Sequence, residues 1–472
     1  MRVEHEKWCY RVRDVPLQMS TLLLKLLRSW GIDRAVAYTI LGRGWFILAG
    51  PFTLQFLATF LSPEEQGFHY TFASILSLQI FFELGLSYVI LQFTSHEKAQ
   101  LEWTSEGTLQ GDAVAKSRIS SLLRVALGWY SVAAALVIAV VLPVGYVFFG
   151  NYQPTAVSVG WQLPWIWIVL VSACTLWISP IYATLEGCGL VADIAVLRIW
   201  QGVVGSLLFW LALSQGWGLF AAPVSTTIGL LWGVGWLWFK KRTFLFDLLA
   251  SHVRATVMSW RHEVWPFQWR IALTWFTSYF IFQLFNPVLF VFYGAVAAGR
   301  MGMSSNIVAA ISTMAIAWVT TKAVPFGGLI AKREFKKLDH MFFLCLWQSL
   351  LVVVVGGVTF WLAAFYLYYI HHPLSQRLLD PVPLGLLIAT ATLNQVVGAE
   401  AVYLRAHKQE PFLGLTVLSA CLIGLSTYFA GKQFGAMGMM AGYFTITLFV
   451  GLGGGTWIFI QKRRLWHKAQ DG

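Results

Sequence analysis

The sequence predicts an all-α polytopic membrane protein with about twelve transmembrane helices in two six-helix bundles. The first observation is composition: of 472 residues, 58% are hydrophobic and only 11% are charged, whereas soluble proteins carry about 25% charged residues. The second is that apolar segments of membrane-spanning length recur along the chain. The third is that Lys and Arg residues fall almost entirely on one side of those segments. These observations exclude a soluble globular enzyme and a disordered chain.

Twelve apolar segments, each ended by turn residues or charges, are long enough to span a bilayer, which takes about 20 residues. They cover about 38–60, 67–93, 124–149, 161–186, 192–214, 217–239, 266–292, 301–325, 341–370, 383–404, 411–430 and 434–461. The break between the fourth and fifth segments, around Glu186, is barely polar. We expect a leader, a first bundle, a basic linker, a second bundle and a tail, at 1–34, 35–239, 240–263, 264–461 and 462–472.

The distribution of cations sets the orientation. The chain has 33 Lys and Arg residues against 21 Asp and Glu residues, a net charge of +12. With the N-terminus inside, only Arg300, Arg377 and Lys432 fall in outer loops, and the other 30 cations lie on the inner side. Inner loops of membrane proteins carry such an excess, so we expect both termini to be cytoplasmic. The excess of Lys and Arg over Asp and Glu is then explained by membrane topology, and we expect no nucleic-acid partner.

The connections between apolar segments are short, so we expect no independent extramembrane domain. The leader and the inner loops at 95–123 and 326–340 are expected to form amphipathic surface helices, and we expect no cleaved signal peptide. The five cysteines have no CxxC spacing, which argues against a disulfide framework or a metal site. The sequence has neither a Walker loop nor an HExxH motif. We therefore expect no enzymatic activity, metal or cofactor.

The two sets of six segments look like an internal repeat. Arg43 lies a few residues inside the first segment, and Arg270 has the same relative place in the seventh. The outer link at 62–67 corresponds to a link at 293–299. With six segments each, both halves start inside, so they are parallel repeats related by a pseudo-two-fold axis along the membrane normal. The predicted layout is two bundles with a cavity between them, as in alternating-access transporters.

Local motifs add a family resemblance. They are GRG at 42–44, FLSPEEQG at 60–67, FELGL at 82–86, QF at 92–93 and YLRAHK at 403–408. These stretches resemble the polysaccharide transporter branch of the multidrug/oligosaccharidyl-lipid/polysaccharide (MOP) exporter superfamily, the Wzx-like flippases. The resemblance extends over the whole chain in segment number and layout. It implies a V-shaped pair of six-helix bundles, as in MATE transporters, and export of a lipid-linked glycan whose sugars it does not specify.

Several polar residues are candidates for the substrate pathway. They are Arg43, Arg270, Lys322, Thr274, Thr277, Asn394 and Gln395. A pair of guanidinium groups facing a central cavity suits a diphosphate, because the planar fork binds phosphate oxygens bidentately. The alternative is that each arginine snorkels to lipid headgroups. The two threonines share a helix face with Arg270, and both interpretations stay open.

Two acidic residues fall inside apolar segments. Glu83 lies past the middle of the second segment, with Gln79 one turn earlier on the same face. A carboxylate in a membrane is costly and marks function by default, so Glu83 is a candidate proton or sodium relay. A fixed ion pair with an arginine is the structural alternative. Glu400 lies in the tenth segment, where pairing with Arg405 is the simpler interpretation.

These observations favour a transporter that flips a polyprenyl-diphosphate-linked oligosaccharide from the inner to the outer leaflet. Through the resemblance, its place is the bacterial inner membrane and its pathway is surface polysaccharide biosynthesis, such as that of O-antigen and lipopolysaccharide. An ion-coupled multidrug or small-molecule antiporter of the same superfamily is the alternative. A glycan polymerase or ligase is disfavoured, because membrane enzymes of that kind resemble proteins with a large outer loop, and this sequence has no such loop. Expected partners are the lipid-linked oligosaccharide, membrane lipids, and polysaccharide polymerase and chain-length machinery.

Overall fold

The computed structural model describes residues 34–152, 159–250, 260–407, 409 and 411–468. The predicted leader, apart from Arg34, therefore lies outside the described residues. So do part of the predicted linker, 251–259, and the end of the predicted tail, 469–472. We call 34–250 the first half of the chain and 260–468 the second half.

Helices make up most of the described residues. The first half contains α1 (Arg34–Phe60), α2 (Pro63–Leu76), α3 (Ile80–Glu83), α4 (Leu86–Lys98), α5 (Ala113–Leu136), α6 (Leu142–Gly150), α7 (Gln162–Gly187), α8 (Val191–Ser214), α9 (Ala221–Trp236) and α10 (Arg242–Ala250). The second half contains α11 (Trp265–Phe282), α12 (Phe285–Thr320), α13 (Ala323–Ala331), α14 (Phe335–Tyr369), α15 (Pro381–Ala406), α16 (Leu413–Ile446) and α17 (Gly455–Lys468). Short π-helical turns join α5 to α6, α9 to α10 and α16 to α17.

The predicted all-α polytopic architecture is confirmed. Within the described residues, eight helices are long and apolar enough to cross a membrane, or nine if a bent pair counts as one span. Each of the twelve predicted apolar segments falls on described helix. Two long helical stretches, Gln268–Ile330 and Leu413–Trp466, each hold two predicted segments. The barely polar break around Glu186 is also real, because α7 ends at Gly187 and α8 begins at Val191.

The predicted outer link 293–299, and the outer connection around Lys432 between the last two predicted segments, are kinks in helices rather than loops. Gly294 has φ 85° and ψ 176° inside α12, and Gly435 has φ 60° and ψ −143° inside α16. Glycine adopts a positive φ without steric cost, so the chain turns and the helix resumes at once. The two kinks are neighbours, since a β-carbon on Gly435 would lie 3.1 Å from the Tyr293 ring.

The second predicted span is also broken. Leu84 and Gly85 both have left-handed backbone angles, with φ 53° and 66°, and the helices Pro63–Glu83 and Leu86–Lys98 meet at a bend of 47°. A β-carbon on Gly85 would lie 2.5 Å from Cγ2 of Ile271 in the second half. The break therefore lets α11 approach the backbone directly after Glu83.

The prediction of an amphipathic helix within 95–123 is wrong. Residues Leu101–Trp103 (β1) and Leu109–Gly111 (β2) form an antiparallel hairpin. Its turn uses Gly107, with φ 79°, and the Trp103 indole donates to the Cys188 carbonyl at 2.9 Å. Asp112 then starts α5 by accepting from the backbone amides at its N-terminus. In the other predicted loop helix, 326–340, the short α13 ends at Ala331 and α14 begins at Phe335.

The predicted linker and tail are helical where they are described. The linker continues α9 into α10, which is held to α5 by a 2.7 Å bond from Ser120 to the Leu248 carbonyl and a 2.8 Å Lys116–Asp247 ion pair. The tail continues α17, whose Arg463 pairs with Asp339 at 2.6 Å. The domain boundaries drawn from the sequence remain predictions.

Orientation is tested by cysteine labelling of intact cells. In a cysteine-free background, Gln376→Cys at the predicted outer side should react with a membrane-impermeant maleimide. Glu106→Cys in the hairpin and Lys336→Cys in α14 should react only after the membrane is permeabilised, because positive-inside topology places them on the cytoplasmic side. All three side chains are exposed. Labelling of Glu106→Cys in intact cells would reverse the predicted orientation.

Candidate functional site: a polar cavity between the two halves

We call the end of the bundle that carries Ser62 and Arg377 the outward end, and the end that carries Lys98 and the hairpin the inward end, following the predicted orientation. The halves meet along α2 and α12. At the outward end, Phe68 of α2 contacts Phe290 of α12, with ring centroids 5.0 Å apart. Farther along both helices, a cavity of about 530 Å³ opens between the halves.

The cavity is bordered by α2 from the first half and by α11, α12, α15 and α16 from the second. Twelve of its 22 lining residues carry a hydroxyl or amide group. They are Tyr70, Ser74, Ser77, Gln283, Asn286, Ser305, Asn306, Ser312, Thr313, Asn394, Gln395 and Tyr443. Among these described residues there is no Asp, Glu, Lys, Arg or His. The cavity wall therefore combines hydroxyl and amide groups with apolar side chains, and it carries no fixed charge.

Hydrogen bonds hold several of these amides in place. Asn394 donates to the Tyr443 hydroxyl at 2.8 Å. Gln395 donates to Ser349, whose hydroxyl donates to the Ala315 carbonyl. Bonds of this kind fix the orientation of a buried amide. Two residues predicted from the sequence, Asn394 and Gln395, thus lie on the cavity wall.

Another amide connects the halves. Asn286 of α12 donates to Ser74 of α2 at 3.0 Å, across 212 positions of sequence. The carbonyl oxygen of Asn286 is buried and has no hydrogen-bond partner among the described residues. An acceptor left in this state is costly, so this position favours a guest or a water molecule that brings a donor.

Sequence reasoning missed most of the cavity wall. Ser305, Asn306, Ser312 and Thr313 recur on α12 at intervals of about two helical turns and therefore share one face. That periodicity is visible in the sequence and was the available signal. Each residue alone is an ordinary member of an apolar helix, and only the face they share identifies a polar wall.

The outward end is closed by a tight contact, which we call the outward seam: Leu61, Gln66 and Gly67 against Ala295, Gly299 and Arg377. Gln66 donates to the Gly299 carbonyl at 2.9 Å and to the Arg377 carbonyl at 3.2 Å. The Arg377 guanidinium donates to the Leu61 carbonyl at 2.5 Å and to Gln66 at 3.3 Å. Arg377, predicted only as an outer cation, thus ties the second half to the first.

The motif at 60–67 explains why the seam forms there. Ser62 accepts from the Glu65 amide at 3.1 Å, and Glu65 accepts from the Ser62 amide at 2.8 Å. This capping box fixes the start of α2 and sets Gln66 and Gly67 on its first turn. A β-carbon on Gly67 would lie 1.9 Å from the Ala295 carbonyl oxygen, so only glycine allows the two backbones to meet.

The inward end also carries contacts between the halves. Arg118 of α5 pairs with Glu97 at 2.7 Å and with Glu263 at 2.5 Å, and Glu263 immediately precedes α11. Nearby, Trp129 and Trp260 stack with centroids 6.2 Å apart. These contacts attach the start of the second half to α5.

The predicted pathway cations lie away from the cavity wall. Arg43 on α1, Arg270 on α11 and Lys322 after α12 are exposed, and none is among the residues that line the cavity. The guanidinium of Arg270 lies 5.7 Å from the Trp269 ring centroid. Neither Arg43 nor Arg270 therefore contributes to the wall of this cavity.

The predicted polar stripe beside Arg270 does not line the cavity either. The Thr274 hydroxyl donates to the Arg270 carbonyl at 3.1 Å, and the Thr277 hydroxyl to the Thr274 carbonyl at 2.7 Å. Both hydroxyls thus bond within their own helix, as threonines in membrane helices often do. Thr274 lines a small pocket with Arg405 and Phe412 instead.

Glu83 belongs to a hydroxyl cluster inside the first half. Ser87 donates to its carboxylate at 2.7 Å and Tyr130 at 3.0 Å. Ser179 lies 3.4 Å from Ser87 and extends the cluster to α7. The ion pairs recorded for the described residues do not include Glu83. Gln79, in the short turn before α3, is half-buried and is not part of the cavity wall.

Glu400 is buried inside the second half, where it has a different partner from the one expected. Its Oε1 accepts from Thr456 at 2.9 Å, and its Oε2 has no hydrogen-bond partner in the described part of the chain. A β-carbon on Gly455 would lie 3.6 Å from that oxygen. Glu400 thus faces α17 next to a π-helical turn, rather than Arg405.

Glutamine substitutions test whether Glu83 and Glu400 contribute differently to transport. Glu83→Gln is expected to lower transport by about tenfold or more, a coupling of 1–3 kcal/mol being typical between linked sites, because Glu83 directly precedes the break that faces α11. Glu400→Gln is expected to have a smaller effect, since the hydrogen bond that Glu400 makes among the described residues lies within its own half. Transport rates normalised to membrane protein level test this order. Normal transport by both variants would leave Glu83 a packing role only.

Comparisons with known proteins identify solved structures that share this fold. No protein-family model and no curated protein sequence matches the chain. Among solved structures, an inward-facing multidrug resistance transporter of the MATE family matches with a TM-score of 0.62 and 13% identity, over 89% of this chain and 96% of that one. The lipid II flippase MurJ, in an inward closed conformation, matches with a TM-score of 0.55 and 10% identity, over 92% and 89%.

A third match is a MOP superfamily transporter from Pyrococcus furiosus, with a TM-score of 0.53 and 13% identity, over 92% of this chain and 95% of that one. These identities are low, and what they establish is architecture: the neighbours are transporters and a flippase rather than enzymes. The chain is an all-α polytopic membrane protein with the fold shared by MATE transporters and the MurJ flippase of lipid II.

Proposed function

We propose that the protein flips a polyprenyl-diphosphate-linked oligosaccharide from the inner to the outer leaflet of the bacterial inner membrane. The observation that carries this proposal is the cavity between the halves, about 530 Å³ in volume, whose apolar wall also presents hydroxyl and amide groups from 12 of its 22 lining residues. Small-molecule sites have volumes of about 300–1,000 Å³. A wall of this chemistry replaces the hydrogen bonds that sugar hydroxyls lose when they leave water.

The outward seam supports alternating access as the mechanism. Gln66 and Arg377 close the outward end of the cavity with hydrogen bonds and close backbone contact. For the glycan to leave outward, these contacts must open while those at the inward end hold. Arg118, bonded to Glu263 across the halves, is positioned to act in that second contact.

Arg43, Arg270 and Lys322 are proposed to receive the diphosphate. They are exposed and fall on the inner side in the predicted orientation, where a lipid-linked substrate presents its anion. In this arrangement the cations bind the diphosphate while the uncharged cavity takes the sugars. Glu83 is proposed as the coupling carboxylate, because it is surrounded by hydroxyls that can pass a proton or ligate sodium.

Complementation tests the proposal. A flippase-deficient bacterial strain that makes a matching lipid-linked repeat unit should recover surface polysaccharide when this chain is expressed, whereas the strain with an empty vector should not. Accumulation of lipid-linked repeat units at the inner leaflet should fall in parallel. A properly inserted protein that restores no surface glycan in any of several such strains would refute flippase function.

An ion-coupled multidrug antiporter is the second candidate. The observation that favours it is the Glu83 cluster, a carboxylate within a membrane segment bonded by Ser87 and Tyr130, together with a fold shared with MATE transporters. Expression in a drug-sensitive strain distinguishes the two. Drug resistance lost in Glu83→Gln, without glycan export, would establish the antiporter instead.

The remaining assignments follow from the flippase proposal. Both termini would face the cytoplasm, and the protein would act beside polysaccharide polymerase and chain-length machinery. Lipids around the bundle would contact its exposed apolar side chains.

A further inference from the structure

The cavity wall carries no charged side chain among its described residues. It presents hydroxyls, amides and aromatic rings. Three charged residues that lie deeper in the bundle or at its outward end have other partners. Glu83 bonds Ser87 and Tyr130, Glu400 bonds Thr456, and Arg377 is held in the outward seam.

Three amides of the wall keep hydrogen-bonding capacity for a guest. Asn286 and Asn394 each use an amide nitrogen in a bond to another side chain, Ser74 and Tyr443 respectively. Gln395 does the same. The Asn286 carbonyl oxygen has no partner among the described residues, and each of the three amide nitrogens keeps a second hydrogen, so these amides can both accept from a guest and donate to it. A carbonyl oxygen accepts a hydrogen bond from a sugar hydroxyl, whereas an ionised carboxylate has no proton to donate.

An acidic sugar in this cavity would have no cation to balance its charge. An unpaired charge in a low-dielectric site is expensive. A neutral sugar has hydroxyl donors for the carbonyl oxygens and for the hydroxyl oxygens of Ser305, Ser312 and Thr313, whose own hydrogens are donated within α12. The apolar faces of its ring match Phe282 and Phe285, which also line the cavity.

We propose that this cavity selects uncharged sugar residues, so that the protein transports glycans with neutral sugars in preference to glycans that carry a uronic acid. The inference depends on the proposed flippase function and adds the substrate class. The charges of the substrate are then divided in space: the diphosphate stays with the inward cations, and the sugars that enter the cavity are neutral.

The test uses purified protein in proteoliposomes and two synthetic polyprenyl-diphosphate trisaccharides that differ at one position. One contains a hexose with a CH₂OH group at C6, and the other contains the corresponding hexuronic acid. We expect the neutral compound to be flipped at least about tenfold faster, because an unpaired charge is expensive in a low-dielectric cavity. Empty liposomes give the background rate.

A pair of variants locates the selectivity in the cavity. Thr313 lines the cavity and is exposed, so Thr313→Lys places a cation there, and Thr313→Met gives a side chain of similar length without charge. Thr313→Lys should raise the ratio of acidic to neutral flipping several-fold, and Thr313→Met should not. An unchanged ratio in Thr313→Lys overturns the assignment of this cavity as the selective site.

The outcomes distinguish this inference from the proposed function. Equal flipping of both compounds by the wild-type protein refutes selection for neutral sugars and leaves the flippase proposal standing. Flipping of neither compound refutes the flippase proposal, and the inference fails with it. Faster flipping of the neutral compound, reversed toward the acidic one by Thr313→Lys, supports both.

Discussion

Replacing Gly67 with valine is expected to reduce export severely while the protein still inserts into the membrane. A β-carbon at Gly67 would lie 1.9 Å from the Ala295 carbonyl oxygen, and a backbone oxygen within a helix cannot move aside as a flexible side chain can. Overpacking costs about 1–3 kcal/mol, which shifts an equilibrium about 5- to 150-fold. Because the clash arises only when the outward seam is closed, the substitution should depopulate the closed state.

Two measurements check this expectation. Surface glycan in the complemented strain should fall, and a cysteine at Ser77 on the cavity wall should become reactive from outside in the Gly67→Val background. The matched control is Gly128→Val on α5, where a β-carbon meets no atom within 4 Å, and it should export normally. Normal export by Gly67→Val at normal membrane level would show that the outward seam is not part of the transport cycle.

Arg43→Ala and Arg270→Ala should each lower glycan export by about tenfold or more, because a charge-assisted pair with phosphate is worth about 1.5–3 kcal/mol. Lysine at either position should restore only part of the loss, since it lacks the planar fork that binds two phosphate oxygens. Neither arginine contacts the cavity in this structure, so the loss should appear as weaker capture of substrate at low concentration.

A control variant distinguishes loss of diphosphate binding from a general loss of positive surface charge. Lys336→Ala removes an exposed cation from α14 and serves as the matched control, with export expected to stay at the wild-type level. Flipping in proteoliposomes at several substrate concentrations gives the concentration dependence of the defect. If both alanine variants match the wild type throughout, the arginines are lipid anchors and the diphosphate is held elsewhere.

The sequence predicted the helices well because membrane spans obey two simple constraints. Apolar length locates each span, and the side on which cations fall orders them, so even the weak break near Glu186 was found. The kinks at Gly85, Gly294 and Gly435 were not predicted. Glycine is common in membrane helices, and only the three-dimensional structure shows which glycines take a positive φ.

The hairpin at 101–111 escaped prediction for another reason. Its strands are only three residues long, too short for a strand pattern to emerge. It is held by contacts distant in sequence, namely the buried Leu101 and Leu109 and the bond from Trp103 to Cys188. The local signals were present, namely Gly107 in the turn and Asp112 as a helix cap. They were outweighed by the amphipathic character of the whole loop.

The site was predicted only in part. Reasoning from the cost of charge in a membrane selects Arg43, Glu83 and Glu400, yet the cavity is built from uncharged groups that are individually unremarkable in sequence. Asn394 and Gln395 were identified from their position in an apolar segment. Ser74 and Asn286, by contrast, are recognised as a polar contact only in the folded structure, where α2 and α12 pack together and the two side chains form a hydrogen bond.

The two halves of the chain contribute unequally to the cavity wall, and this has a consequence for how such a protein diversifies in evolution. Only Tyr70, Ala73, Ser74 and Ser77 of its wall come from the first half, and the other 18 lining residues come from the second. Glu83 and its hydroxyl partners, in contrast, lie entirely in the first half. Under the proposed mechanism, recognition and energy input occupy separate modules. Mutations in one module can then change the cargo while the other continues to drive the cycle unaltered.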